Sequence, residues 1–302
     1  MTERQVKLIF GVLALLVAAY AGIRLVGGGG GGGTGALGMA DAVDGPPDVV
    51  RIYRAGGDSL RLEARGGTAR VNGFPADSAG VTSLFAALDT ARADELVSRN
   101  PENHGRLGVA GGEADSVAVG RADSPTLTFL LGGSGRGGRF VRRPGEDRVY
   151  LLEGSAASSL GRTEGRWRDL EVASLDTARV ARLEVERNGR RTTFVRGGSG
   201  WRVSGSGTLA PSEAGTILGE VTGLRASNRV PADSAVRAAD FSAPDAVLRA
   251  WSTAAGDGDP LLTLRAVRTG DDGDVLVRRD GRPHVYPLAG FRVDRVFPAP
   301  EE

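Results

Sequence analysis

Two arginine pairs are the residues of this chain with the most chemistry to offer. Arg142-Arg143 and Arg278-Arg279 each sit in a V-R-R-x-G-x-x-x-V-Y-x-L string, which begins at Val141 and returns at Val277. A guanidinium presents a planar fork of donors that fits carboxylate or phosphate, so two similar pairs on equivalent strands are candidates for contact with an anion or an acidic partner. Alternation turns one arginine of each pair outward, where its plainer role is that of a solvated side chain paired with its neighbours.

The other residue types that could do chemistry are sparse. His104, in Asn100-Pro101-Glu102-Asn103-His104-Gly105, and His284, beside the second Val-Tyr pair, are the two histidines. Neither lies near a recognisable nucleophile or ligand pattern, and a general base needs a third group to hold it against its nucleophile. Asp257-Gly258-Asp259 and Asp271-Asp272-Gly273-Asp274 offer oxygen ligands of the kind calcium takes, but they lack the EF-hand spacing and its terminal Glu, and Asp and Gly also build hairpin loops. Gly133-Ser134-Gly135-Arg136-Gly137-Gly138 fits G-x-G-x-x-G, yet it falls between two strands rather than between a strand and a helix, which reads as a flexible hairpin loop. The expectation is a protein with no catalytic residue, no metal and no cofactor.

The repeated string implies repeated elements to carry it. Its flanks follow in register: Val49-Val50-Arg51-Ile52 aligns with Val180-Ala181-Arg182-Leu183, Arg65-Gly66-Gly67 with Arg196-Gly197-Gly198, and Leu127-Thr128-Phe129 with Leu262-Thr263-Leu264. An offset that drifts from about 131 to about 136 positions is what small insertions in surface loops produce. Short alternations ended by glycine predict hairpin strands at 49–54, 60–65, 183–187 and 192–196, with further strands at 116–119, 127–131, 140–143 and 149–152 and a matching set in the second half. One main helix interrupts each half. Asp77 or Ser78 can cap a segment carrying Val81, Leu84, Phe85 and Leu88, and Ser212 can cap one carrying Ile217, Leu218, Val221 and Leu224. Asp272-Gly273 and Asp280-Gly281 are hairpin-turn dipeptides, and Trp201-Arg202-Val203 reads as a strand end with a core aromatic.

The predicted fold is therefore α+β: two tandem repeated modules, each mostly antiparallel strands with one main helix, after an N-terminal transmembrane anchor. The module boundaries are 48–165 and 166–302. The stretch 154–179 between them carries Leu160, Trp167, Leu170 and Val172, so it reads as a docked connector rather than a free linker.

Residues 1–26 form the anchor or signal segment. Arg4 and Lys7 precede an apolar run at 8–23, whose sixteen positions span about 24 Å as a helix; continuing to Val26 gives about 28 Å, close to the ~30 Å hydrocarbon core. Positive charge before the run keeps the amino terminus in the cytoplasm and places the modules outside. The rival reading is cleavage after Ala19-Tyr20-Ala21. Residues 27–47 are a tether that begins with seven glycines, with a reach on the order of 25 Å. The chain has no Cys, which excludes thiolate metal sites, disulfides and a lipoprotein anchor. A formal charge of +1 gives no reason to expect a nucleic acid partner.

Trp201-Arg202-Val203 before a helix, Asp240-Phe241-Ser242-Ala243-Pro244 as a turn, and the pairs Val149-Tyr150 and Val285-Tyr286 resemble the domain of unknown function 4340 family. Ala69-Arg70-Val71 stands where the family would show Trp, and His104-Gly105-Arg106-Leu107 approximates the family turn. The resemblance covers residue 48 to about 297 and carries no catalytic residue. It implies a non-catalytic, single-pass protein of the bacterial cytoplasmic membrane with extracytoplasmic modules, assisting or docking onto an ABC-type permease or other envelope protein. The alternative is an envelope polysaccharide or peptidoglycan binding protein.

The continuity of the apolar run past Ala21 favours retention. Mass spectrometry of the protein extracted from membranes is expected to find an amino terminus at Met1 or Thr2; a terminus at Gly22 would identify a cleaved leader instead.

Overall fold

Alternation along the strands is alternation of burial. In β1 (Val49–Tyr53) Val50 and Ile52 are buried around a half-exposed Arg51, and in β2 (Ser59–Arg65) Leu60 and Leu62 are buried around Arg61. The computed structural model describes residues 46–121, 124–207, 209–269 and 274–299. The apolar run 8–23, the tether over 27–45 and the turn Asp272-Gly273 lie outside these residues. Among the described residues no helix is long and apolar enough to cross a membrane.

The chain is mixed α+β with mostly antiparallel pairing. The first sheet adds β3 (Thr68–Val71), β4 (Phe74–Pro75), β5 (Glu95–Ser98), β6 (Asp115–Arg121), β7 (Ser124–Gly135), β8 (Gly138–Arg142) and β9 (Val149–Glu153), in the order β4-β3-β2-β1-β6-β7-β8-β9-β5. β10 (Glu171–Ala173) forms a small ladder with β14 (Leu224–Arg225). The second sheet runs β13-β12-β11-β15-β16-β17-β18, from β11 (Arg182–Arg187), β12 (Arg190–Gly197), β13 (Gly200–Gly205), β15 (Ala246–Trp251), β16 (Leu262–Thr269), β17 (Asp274–Arg279) and β18 (Val285–Leu288).

The two Val-Arg-Arg strings occupy the same register. Val141 lies opposite Tyr150 and Arg142 opposite Val149, while Val277 lies opposite Tyr286 and Arg278 opposite Val285. Earlier strands require a correction. Ile52 faces Leu60 and Val117, whereas it is Val185 that faces Thr192 and Leu248, so Ile52 corresponds to Val185 and not to Leu183. Arg65 closes its hairpin opposite Thr68, and the residue in that place in the second sheet is Gly197 rather than Arg196. Side-chain facing forces the one-residue shift at Gly197, because it sets buried Phe194 where buried Leu62 sits; the two-residue shift at Val185 leaves facing unchanged and is set by the cross-strand partners.

Each sheet carries its main helix on its buried face. The helix Ser78–Thr90 buries Val81, Leu84, Phe85 and Leu88, and the helix Glu213–Val221 buries Ile217, Leu218 and Val221. Asp77 and Ser212 hold the N-cap positions, but neither side chain makes a cap hydrogen bond. Leu224 is not helical: the helix stops before Thr222-Gly223, where glycine weakens helix continuation, and Leu224 enters β14 while remaining buried. Four shorter helices join the main ones: Asn103–Arg106, Gly154–Leu160, Asp233–Ala238 and Gly290–Val296. The second and the last of these follow β9 and β18, and their periods are too brief to read from pattern.

The connector docks, as its apolar residues lead one to expect. Leu160 and Trp167 are fully buried in the first core and Val172 in the second. Backbone bonds fix it on both sides: the Asp77 and Asp169 N–H groups donate to the Trp167 and Pro75 carbonyls, each at 2.8 Å, and the Ala226 N–H donates to the Leu170 carbonyl at 2.8 Å. Phe74 packs against both cores, with its ring 4.8 Å from His284, 5.5 Å from Tyr286, and the Arg168 guanidinium 4.3 Å above it.

Gly165 is the tightest point of this seam. A Cβ built there would lie 1.6 Å from the Asn228 carbonyl oxygen, which is backbone and cannot swing away. Gly165→Ala is expected to cost about 1–3 kcal/mol or more by overpacking. Gly111→Ala, where nothing lies within 4 Å, should stay within about 0.5 kcal/mol. Thermal unfolding of the two variants checks the difference, and equal midpoints would contradict the packing described.

Candidate functional site

Arg142 and Arg278 stand at equivalent register positions but do different work. Arg142 is buried; its Nε donates to the Val109 carbonyl at 2.9 Å and its Nη1 to the Glu146 carbonyl at 2.8 Å, which holds the loops beside β8. Loss of water around this guanidinium lowers its pKa, a shift that Asp147 opposes. Arg278 instead covers the buried ring of Phe241, with its guanidinium carbon 4.5 Å from the centroid. Arg143, just past the end of β8, and Arg279, at the end of β17, are both half-buried. The four arginines belong to two different sheets rather than one pair of matching prongs.

The remaining sequence candidates are also placed. His104 lies on the short helix Asn103–Arg106 with its Nε2 3.0 Å from the Asp147 carbonyl oxygen. The Asp257 carboxylate accepts from the Thr253 hydroxyl, which holds it below the usual carboxylate range. Asp271 lies outside the described residues, and among those described no group of three or more His, Cys, Asp or Glu side chains could hold a metal ion. Trp201 does not end a strand. It is the second residue of β13, half-buried against the second core, with the Arg196 guanidinium 4.9 Å from its ring.

The glycine run is not a loose loop but a tight hairpin. Pairing persists through Ser134 opposite Arg139 and Gly135 opposite Gly138, leaving Arg136 and Gly137 as a two-residue turn. Both have positive φ, 50° and 83°, the conformation that a type I′ turn demands.

That hairpin forms one wall of a cleft of about 820 Å³; the helix Gly154–Leu160 and the turn after it form the other. Arg136, Arg139, Arg162 and Arg166 line it, with the Ser158 and Thr163 residues between them, and no carboxylate is among the lining residues. Arg139 is held by its Nε and Nη2, which both donate to the Gly132 carbonyl at 3.0 and 2.6 Å. Burial lowers its pKa, Asp115 opposes that shift and Arg54 adds to it. A second cleft, of about 750 Å³, is lined by Arg54, Asp58, Asp115 and Glu164, and there Arg54 and Asp115 neutralise each other at 2.6 Å. The arginine-lined cleft is the stronger candidate site. Pattern reading passed over it because Arg136 was absorbed into the glycine run and Arg139 fell between that run and the next strand, while Arg162 and Arg166 lie in the connector. The spacing of Arg162 and Arg166, four apart, was the one linear signal available.

A family model described as a domain of unknown function (DUF4340) matches residues 68–244, a span that includes every residue of this cleft. No curated protein and no solved structure matches the chain.

His284 gives a measurable consequence of the seam. Burial lowers its pKa from the ordinary 6.5, and Arg70, Arg282 and Arg168 lower it further. The unfolded chain therefore takes up this proton first as pH falls, so the contribution is present above about 6.5 and is lost as pH drops through the folded value. The stability difference between wild type and His284→Phe, measured by thermal unfolding, is expected to be constant above pH 6.5 and to move against the wild type below it. Parallel curves down to pH 5 would contradict this placement.

Proposed function

The chain belongs to the domain of unknown function 4340 family, and on that premise we propose that it is a non-catalytic, membrane-anchored extracytoplasmic module that docks onto a membrane transport complex, an ABC-type permease. The observation that carries this reading is the order of segments at the amino terminus: Arg4 and Lys7, then the apolar run 8–23, then the glycine tether. This order retains the amino terminus in the cytoplasm of a bacterial cell and leaves the folded body outside. A tether with a reach on the order of 25 Å confines the body to the membrane-proximal layer, where the exposed face of an integral partner lies.

We further propose that 48–165 and 166–302 are two copies of one module. Support comes from the shared register of the two Val-Arg-Arg strings and from the strand sequence around them: β1-β2-β3 before the helix and β6-β7-β8-β9 after it match β11-β12-β13 and β15-β16-β17-β18, with the short β4 and β5 added in the first sheet alone. Two related sheets held at a fixed seam offer a partner a composite surface that one module alone would not.

Crosslinking of the full-length protein in its native membrane, followed by mass spectrometry, tests the docking. A transport permease recovered reproducibly is expected. Repeated recovery of no membrane protein, together with retention on isolated envelope polymer, would replace this reading with that of a polymer-binding protein.

A further inference from the structure

The chain is nearly neutral, with 38 basic and 37 acidic residues, so carboxylates are available to almost every arginine. Elsewhere they are used: Arg54 with Asp115, Arg249 with Glu184 and Arg265 with Asp280 are within 2.6–3.0 Å. The cleft beside the Arg136-Gly137 turn departs from this practice. Four arginines line it and no acid does, and Glu95, which meets Arg136 at 2.9 Å, does so from outside that lining.

Three of the four have donors to spare. The Arg166 side chain has no hydrogen bond, ion pair or ring contact among the described residues, its backbone N–H alone donating to the Thr163 carbonyl, and the Arg162 guanidinium meets only the Trp167 ring, 5.0 Å from its centroid, which leaves its N–H edge open. Arg139 commits Nε and Nη2 to the Gly132 carbonyl and keeps Nη1 against Gly161, where a Cβ would stand 2.8 Å away. Gly161 thus gives the guanidinium room to lie along the cleft wall. An anion bound here would meet positive charge from both walls of the cleft.

We propose that this cleft binds a ligand bearing two linked phosphoryl groups. Tetrahedral phosphoryl oxygens accept from several directions at once, which suits forks arriving from the hairpin and from the connector, whereas a planar carboxylate is satisfied by a single fork. Ser158 and Thr163 add neutral hydroxyl donors, and a volume of about 820 Å³ is in the range of small-ligand sites. The site stands apart from the docking reading and survives or fails without it.

Calorimetric titration of the full-length protein in mild detergent with sodium pyrophosphate at low salt is the test. Saturable one-site binding is expected, weakened about tenfold or more by Arg139→Gln and by the exposed Arg166→Gln, and unchanged by Arg190→Gln on the second sheet. Displacement by short-chain phosphatidic acid would support the site and assign the phosphate to a lipid headgroup; no displacement would support it and assign the phosphate to a soluble ligand. Absence of saturable binding, wild-type affinity in both cleft variants, or tighter binding of citrate than of pyrophosphate would overturn the proposal.

Discussion

A short stretch of chain has to satisfy two hydrophobic cores at once. Trp167 is buried completely in the core of the first sheet, and Val172, only five positions on, is buried completely in the core of the second. Between them the backbone bonds to Pro75 on one side and to Ala226 on the other. Such a segment can be neither longer nor looser without leaving buried peptide groups unpaired, which costs more than a hydrogen bond gains. The close approach of Gly165 to Asn228 follows from that demand, and so do the placement of Arg168 over Phe74 and the tilted contact of Phe74 with His284. These contacts make the edge of the first sheet and the edge of the second parts of one seam.

The same constraint shapes the arginine-lined cleft. The helix Gly154–Leu160 and the turn after it are fixed by Leu160 in the first core and by Arg54, whose Nη2 donates to the carbonyls of Leu160 and Arg162. The opposite wall is a two-residue hairpin with little freedom of its own. Arg139 and Arg162 are therefore presented from rigid supports, one by a carbonyl and one by an indole face, and a site built this way loses less entropy on binding than one built from free side chains. On the proposed location outside the membrane, the cleft and the seam would travel together on the glycine tether.

Much of the fold was legible from pattern alone, and the exceptions have physical causes. Strands announced themselves because one face of each is buried, as with Val50 and Ile52 around Arg51. Both main helices were visible from spacing, and Leu224 was misplaced because burial by itself does not distinguish a last helical turn from a buried strand. The hairpin shift at Gly197 escaped because identical Arg-Gly-Gly letters outweighed facing, which is invisible without the partner strand. The glycine run was located correctly between two strands, but its tightness depends on Arg136 accepting positive φ, which asparagine or aspartate would have advertised more clearly. The cleft was least legible of all, since its arginines come from a hairpin and a connector that only tertiary packing brings together. Arg142 shows the reverse: its repeated string marked it for an external role, while its donors hold internal carbonyls.

Hydrogen exchange of the full-length protein, followed by mass spectrometry, tests the central claim most directly. The amides of Asp77, Asp169 and Ala226 carry the bonds that tie the connector to both sheets. If the seam is one cooperative unit, these amides should open with the same free energy as Val117 and Leu248 at the centres of the two sheets. Rapid exchange at Asp169 and Ala226 beside slow exchange in both sheets would contradict it, showing the connector to be a hinge between separately stable bodies.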